Sequence, residues 1–129
     1  MATRSKYVKR AGTSVVAVQL DLDTRGFTYR KWGGQQTCKA GDWIVNNEGD
    51  VYTVDRDTFS RTYRAERPGL YRKVAPVWAE VADRDGTIQT KEGLTHYKTG
   101  DYLVFNEEAG KDGYAMAAAS FEAMYEPAV

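Results

Sequence analysis

Cys38 and His96 are the only thiol and the only imidazole in this chain of 129 residues. They could form one nucleophile–base pair at most, and a lone histidine rules out a His-ligated metal cluster. Asp21-Leu22-Asp23 and Asp83-Arg84-Asp85 place two carboxylates on short polar segments, as calcium loops do. A calcium hand needs a glutamate at the twelfth position of its loop, and that position counted from Asp21 is Trp32. These aspartates are therefore read as turn formers. Glu48-Gly49-Asp50 and Glu107-Glu108 read as solvated hairpin tips. Neither catalysis nor a cofactor is expected.

Binding chemistry has better candidates. Gly41-Asp42-Trp43 and Gly100-Asp101-Tyr102 each set a carboxylate beside an aromatic ring after a glycine. Asp42 and Asp101 can fix the strand that follows by accepting backbone N–H bonds. Alternatively they are acceptors at the mouth of a pocket lined by Trp43 and Tyr102, suited to a sugar hydroxyl or a base edge. Trp32-Gly33-Gly34-Gln35-Gln36 combines a stacking ring, glycines that allow close approach, and the Gln36 amide. Lys91-Glu92-Gly93 occupies the corresponding place before His96. Trp32, Gln36, Asp42, Trp43, Lys91, His96, Asp101 and Tyr102 are thus the candidate ligand-binding residues. Three tryptophans and nine tyrosines suit either a packed core or stacking on a planar ligand.

These pairs exist because the chain repeats itself. Lys39-Ala40-Gly41-Asp42-Trp43-Ile44-Val45 answers to Lys98-Thr99-Gly100-Asp101-Tyr102-Leu103-Val104 at a constant offset of 59 positions. Asp50, Tyr52, Phe59 and Tyr63 answer to Asp112, Tyr114, Phe121 and Tyr125 at an offset of 62, and Tyr7-Val8-Lys9 resembles Tyr71-Arg72-Lys73. Cys38 falls opposite Tyr97, so a buried strand thiol and a surface imidazole are expected rather than a dyad. A unit of roughly sixty residues buries little surface by itself, so the copies are expected to pack as one unit.

Within each copy, an apolar strand (residues 15–20 or 76–82) meets an Asp-Gly turn and returns through residues 27–32 or 87–91, which predicts a hairpin. A second hairpin follows the Gly-Asp turn, pairing 43–47 with 51–54 and 102–106 with 114–116. Phe59 and Tyr63, like Phe121 and Tyr125, are four apart, which predicts a short helix with both rings on one face. Arg64 to Gly69 reads as a linker because Pro68-Gly69 interrupts strand and helix alike. The expected fold is α+β and β-rich. It has two tandem pseudo-symmetric modules, 1–64 and 71–129, joined by a linker at 65–70. Each is a small antiparallel curved sheet closed by a short C-terminal helix.

The second half resembles the bacterial PGDYG-domain family through Lys91-Glu92-Gly93, Tyr97, Gly100-Asp101-Tyr102, Asp112-Gly113-Tyr114, Phe121 and Tyr125-Glu126-Pro127. The first half is similar to short phage and prophage proteins that run from a Tyr-x-Lys segment (Tyr7, Lys9) through Gly41-Asp42-Trp43 to Phe59-x-x-x-Tyr63. The likeness covers residues 7–126. The proline that precedes Gly-Asp in the family is Ala40 in one copy and Thr99 in the other. The family implies a module without an assigned reaction.

Composition is that of a globular protein, 42% hydrophobic and 28% charged. The unpaired Cys38 and the lack of a long apolar run predict a cytoplasmic protein with no membrane association. Basic and acidic residues number 18 each, but residues 1–64 hold 11 against 7 and residues 65–129 hold 7 against 11. No strongly basic footprint marks a nucleic-acid partner. The expected function is non-catalytic binding of a small polar or nucleotide-like molecule at the junction of the repeats. The alternatives are a protein-interaction scaffold and a phage-type accessory protein that sequesters a signalling nucleotide. A monomer or homodimer is expected.

Overall fold

The computed structural model describes residues 4–128. Along the chain lie β1 (Ser5–Lys9), β2 (Val15–Gln19), β3 (Phe27–Lys31), β4 (Gly34–Cys38), β5 (Trp43–Asn47), β6 (Asp50–Val54) and helix α1 (Arg56–Thr62). After them come β7 (Tyr63–Arg67), β8 (Leu70–Lys73), β9 (Val77–Val81), β10 (Gly86–Gln89), β11 (Leu94–Tyr97), β12 (Tyr102–Phe105), β13 (Gly113–Met116), helix α2 (Ala118–Met124) and β14 (Tyr125–Pro127). The protein is β-rich, with antiparallel sheets, none of them closed among the described residues. Neither seven-residue helix is long and apolar enough to cross a membrane.

Two five-stranded sheets form the body, in the orders β6-β5-β2-β8-β7 and β13-β12-β9-β1-β14. The first draws all its strands from residues 15–73, with the β3–β4 hairpin inserted in sequence between β2 and β5. The second is completed by β1, which lies between β9 and β14, pairing Tyr7 with Val77 on one side and Lys9 with Tyr125 on the other. The boundary expected at 65–70 does not coincide with the sheets. Pro68-Gly69 turns β7 into β8, so the segment read as a linker is a hairpin inside the first sheet.

The first hairpin of each copy also differs from expectation. β2 pairs with β5 and β8, and β3 pairs with β4 instead. Residues 20–26 are too long for a tight turn, whereas Trp32 (φ 57°) and Gly33 (φ 76°) form the left-handed pair that folds β3 directly onto β4. Glu48 (φ 53°) and Gly49 (φ 97°) do the same between β5 and β6, as the sequence predicted. The β3–β4 and β10–β11 hairpins meet edge to edge, through a bridge between Gln36 and Gly93 and bonds from the His96 N–H to the Trp32 carbonyl (2.9 Å) and from the Thr37 N–H to the Glu92 carbonyl (2.6 Å).

Each helix covers one sheet through a phenylalanine. On α1, Phe59 stacks on Trp43 at 4.1 Å and on Tyr63 at 4.4 Å, over Val15, Ala17 and Val45. On α2, Phe121 stacks on Tyr102 at 4.1 Å over Val77, Ala79 and Val104. Helices this short do not persist alone in water, so these packed rings hold them. Burying such a ring contributes about 2–3 kcal/mol. Asp55 caps α1 by accepting from the Asp57 and Thr58 N–H groups, whereas α2 begins at Ala117 without a side-chain cap. Tyr63 and Tyr125, expected on the helices, instead open strands β7 and β14.

The uneven charge has a structural outcome. Arg4–Glu80, Arg10–Glu126 and Arg61–Asp112 each join a basic residue of 1–64 to an acidic one of 65–129.

Candidate functional site

Between the two sheet–helix units lies a cavity of about 510 Å³, within the size range of small-molecule sites. Helices α1 and α2 contribute Thr58, Thr62, Ser120 and Met124 to its wall, and the hairpins contribute Trp32, Thr95 and His96. Strands β6, β7, β8, β13 and β14 bring Tyr52, Tyr63, Lys73, Tyr114 and Tyr125. The four tyrosines occupy positions that match at an offset of 62 in the sequence, Tyr52 with Tyr114 and Tyr63 with Tyr125.

Lys73 ends β8 and is only 5% exposed. Its Nζ donates to Asn106 Oδ1 (3.0 Å) and to the Tyr114 hydroxyl (3.1 Å). It also lies 5.4–5.9 Å from the ring centroids of Tyr63, Tyr114 and Tyr125. None of the ion pairs among the described residues includes it. Burial, reinforced by repulsion from Lys9 and opposed by Asp112, pulls its pKa down to about 7. Lys9, the repeat counterpart on β1, is lowered as well, by burial against the attraction of Glu48. Buried lysines without a carboxylate are rare in proteins, and they shift toward the neutral amine.

The phenols respond in the opposite sense. Burial pushes Tyr52 up to about 12 and drives Tyr63, Tyr114 and Tyr125 well above their ordinary value. All four are therefore neutral hydroxyls near pH 7, each able to donate or accept. Glu92, at the hairpin end of the cavity, is raised to about 7 by burial, although its Oε2 accepts the Asp55 N–H at 2.8 Å.

The residues expected from sequence separate into two groups. Trp32, His96 and Asp101 border the cavity. Trp32 is held at positive φ, which is strained for a bulky side chain. His96 packs on Gly33, where an added Cβ would approach its Cδ2 to 3.0 Å. Lys91, between β10 and β11 and outside the cavity lining, reaches the Thr58 hydroxyl (2.9 Å), Asp55 (3.5 Å) and Asp112 (3.7 Å) and so ties that hairpin to α1.

The other group lies away from the cavity. Gln36 is fully buried, and its Nε2 donates to the Lys31 and Leu94 carbonyls, joining the hairpins; its Oε1 has no partner among the described residues. Asp42 is buried and accepts from the Lys39 and Arg56 N–H groups, so it fixes the turn and ties it to α1. Asp101, although it borders the cavity, likewise accepts the Lys98 N–H and fixes its own turn. Trp43 and Tyr102 stack in the two cores instead of facing a pocket mouth, because the strand register turns them toward Phe59 and Phe121. The Tyr102 hydroxyl reaches Glu122 at 2.9 Å.

Lys73, Asn106, Tyr52, Tyr63, Tyr114 and Tyr125 are not among the ligand-binding candidates drawn from the sequence, where all but Asn106 figure as matched positions of the two copies. The signal was available, because Tyr-x-Lys and the four tyrosines sit at matching places in both copies. What was missing was the pairing that brings the ends of β8 and β14 together. Cys38 and His96 form no dyad: the thiol is buried at 0% exposure and donates weakly to the Lys39 carbonyl, while the imidazole is exposed at the hairpin junction.

No protein-family model, curated protein or solved structure matches the chain.

Proposed function

We propose that the protein is a non-catalytic binding module that takes a small polar molecule with a planar or ring portion into the cavity between its two halves. The observation that carries this reading is the convergence of Lys73, Asn106 and four tyrosines from both halves on one space. Phenol rings supply stacking area, and their hydroxyls supply hydrogen bonds to a polar edge. A nucleotide-like ligand is compatible with the rings and with Lys73 as a phosphate contact. The reading includes two PGDYG-like pseudo-symmetric modules whose boundary is shifted. One is residues 15–73; the other is residues 77–127 completed by β1.

The test is ligand-observed NMR with a set of small aromatic and sugar-like fragments against the wild type and Ala115→Phe, which narrows the cavity from β13. Fragments that bind the wild type and lose affinity tenfold or more in the folded variant support the reading. Fragments that bind neither protein, or both equally, contradict it.

A further inference from the structure

We propose that Lys73 captures its ligand covalently and reversibly, its Nζ condensing with an aldehyde or ketone carbonyl to form an imine inside the cavity. The inference rests on the binding reading above and names its ligand class.

Three features of the geometry carry it. The amine is buried against a cavity of about 510 Å³, large enough for a small carbonyl compound beside it. It has no carboxylate partner among the described ion pairs to hold it as an ammonium, and its contacts are the neutral Asn106 amide and Tyr114 phenol. The groups facing it from the surrounding strands and loop are Lys9, Asp112, Tyr63, Tyr114 and Tyr125. Of these, Asp112 alone is an anion, and it is already engaged by Arg61 (3.6 Å) and Lys91 (3.7 Å). Desolvation together with a neighbouring cation is the arrangement that makes a lysine nucleophilic near neutral pH, and the lowered pKa of Lys73 agrees with it.

The chemistry balances without a further reagent. The nitrogen lone pair adds to the carbonyl carbon while the carbonyl oxygen takes up a proton, giving a carbinolamine. Both original N–H protons then leave with that oxygen as one water, and a C=N bond remains. Hydrolysis reverses the step and releases the carbonyl compound. The Tyr114 hydroxyl, 3.1 Å from Nζ, is placed to hydrogen-bond the departing oxygen.

Full-length protein incubated with propanal and sodium cyanoborohydride at pH 7, followed by peptide mass spectrometry, tests the idea. Lys73 should be alkylated at least about tenfold faster than an exposed lysine such as Lys111, its much larger neutral fraction outweighing the lower nucleophilicity of a less basic, buried amine. Its rate should level off above about pH 7. In Lys73→Arg the fast site should vanish while circular dichroism reports an intact fold. If that variant does not fold, protection of wild-type Lys73 by a cavity-binding fragment is the substitute, and the label should then fall in proportion to occupancy. Slower labelling of Lys73 than of Lys111 while fragments still bind would overturn the imine and leave the binding reading standing. No labelling and no fragment binding would overturn both.

Discussion

Lys73 on β8 places its amine 5.8 Å from the ring centroid of Tyr125 on β14, so one contact joins the two five-stranded sheets. Tyr125 is itself the Cα partner of Lys9 across β1 and β14, while Lys73 is the partner of Tyr63 across β7 and β8. Each lysine thus lies opposite the tyrosine that follows a helix. The cavity exists where these two lysine–tyrosine ladders approach.

Lys73 makes stability depend on pH in a defined sense. Its folded pKa, about 7, is below its unfolded value of 10.5, so the unfolded chain binds the extra proton between those values. The cost of burying the amine is full below pH 7 and fades as pH rises toward 10.5. Lys73→Met should therefore be more stable than the wild type at pH 6, by about 1–4 kcal/mol. The gain should shrink steadily to pH 10 in urea unfolding curves. A constant difference across that range would mean that the amine is solvated in the folded state.

Glu92 acts in a different window. Its folded pKa of about 7 exceeds the unfolded 4.5, so the penalty appears as pH rises through that interval and is complete above pH 7. Glu92→Gln keeps an oxygen to accept the Asp55 N–H and should stabilise the protein by about 1–3 kcal/mol at pH 8. The two proteins should coincide near pH 4. Thermal melts at the two pH values check this, and a variant less stable at pH 8 would contradict it.

The hairpins that close one end of the cavity need glycine for space. A Cβ on Gly93 would collide with the Gln35 carbonyl, and one on Gly34 with the Leu94 carbonyl. Gly93→Ala should cost about 2–3 kcal/mol and separate the hairpins. Faster amide exchange at Thr37 and His96, whose N–H groups bridge the junction, would report the opening. Gly49→Ala makes a useful comparison, because no atom lies within 4 Å of its added Cβ, so only its positive φ is strained and the cost should be nearer 1 kcal/mol.

Trp43 and Tyr102 serve the cores. Trp43→Ala should destabilise by about 3–5 kcal/mol through loss of the stack on Phe59. Retained stability with loss of fragment binding would return Trp43 to the ligand site.

Local structure was legible where local signals decide it. The β5–β6 and β12–β13 hairpins, the two short helices and the inward Phe59 and Phe121 follow from turn residues and spacing. Pairings over long sequence distances were not. Ser5–Lys9 is a short strand with only Tyr7 packed on the core, so its own residues do not state that it will insert between β9 and β14, and only the match of Tyr7-x-Lys9 to Tyr71-x-Lys73 hints at it. The two lysine–tyrosine ladders depend on that insertion. Consequently Trp32 and His96, which border the cavity, stand out in the sequence by their own chemistry, whereas Lys73 reads there as an ordinary basic residue and only its burial sets it apart.

Native mass spectrometry on protein purified gently from the cells that make it, compared with its denatured mass, tests the binding cavity most directly. A reproducible extra mass should be present in the native state, lost on denaturation and absent from the folded Ala115→Phe protein. A native mass equal to that of the bare chain, or an adduct that persists unchanged in Ala115→Phe, would contradict binding in the cavity.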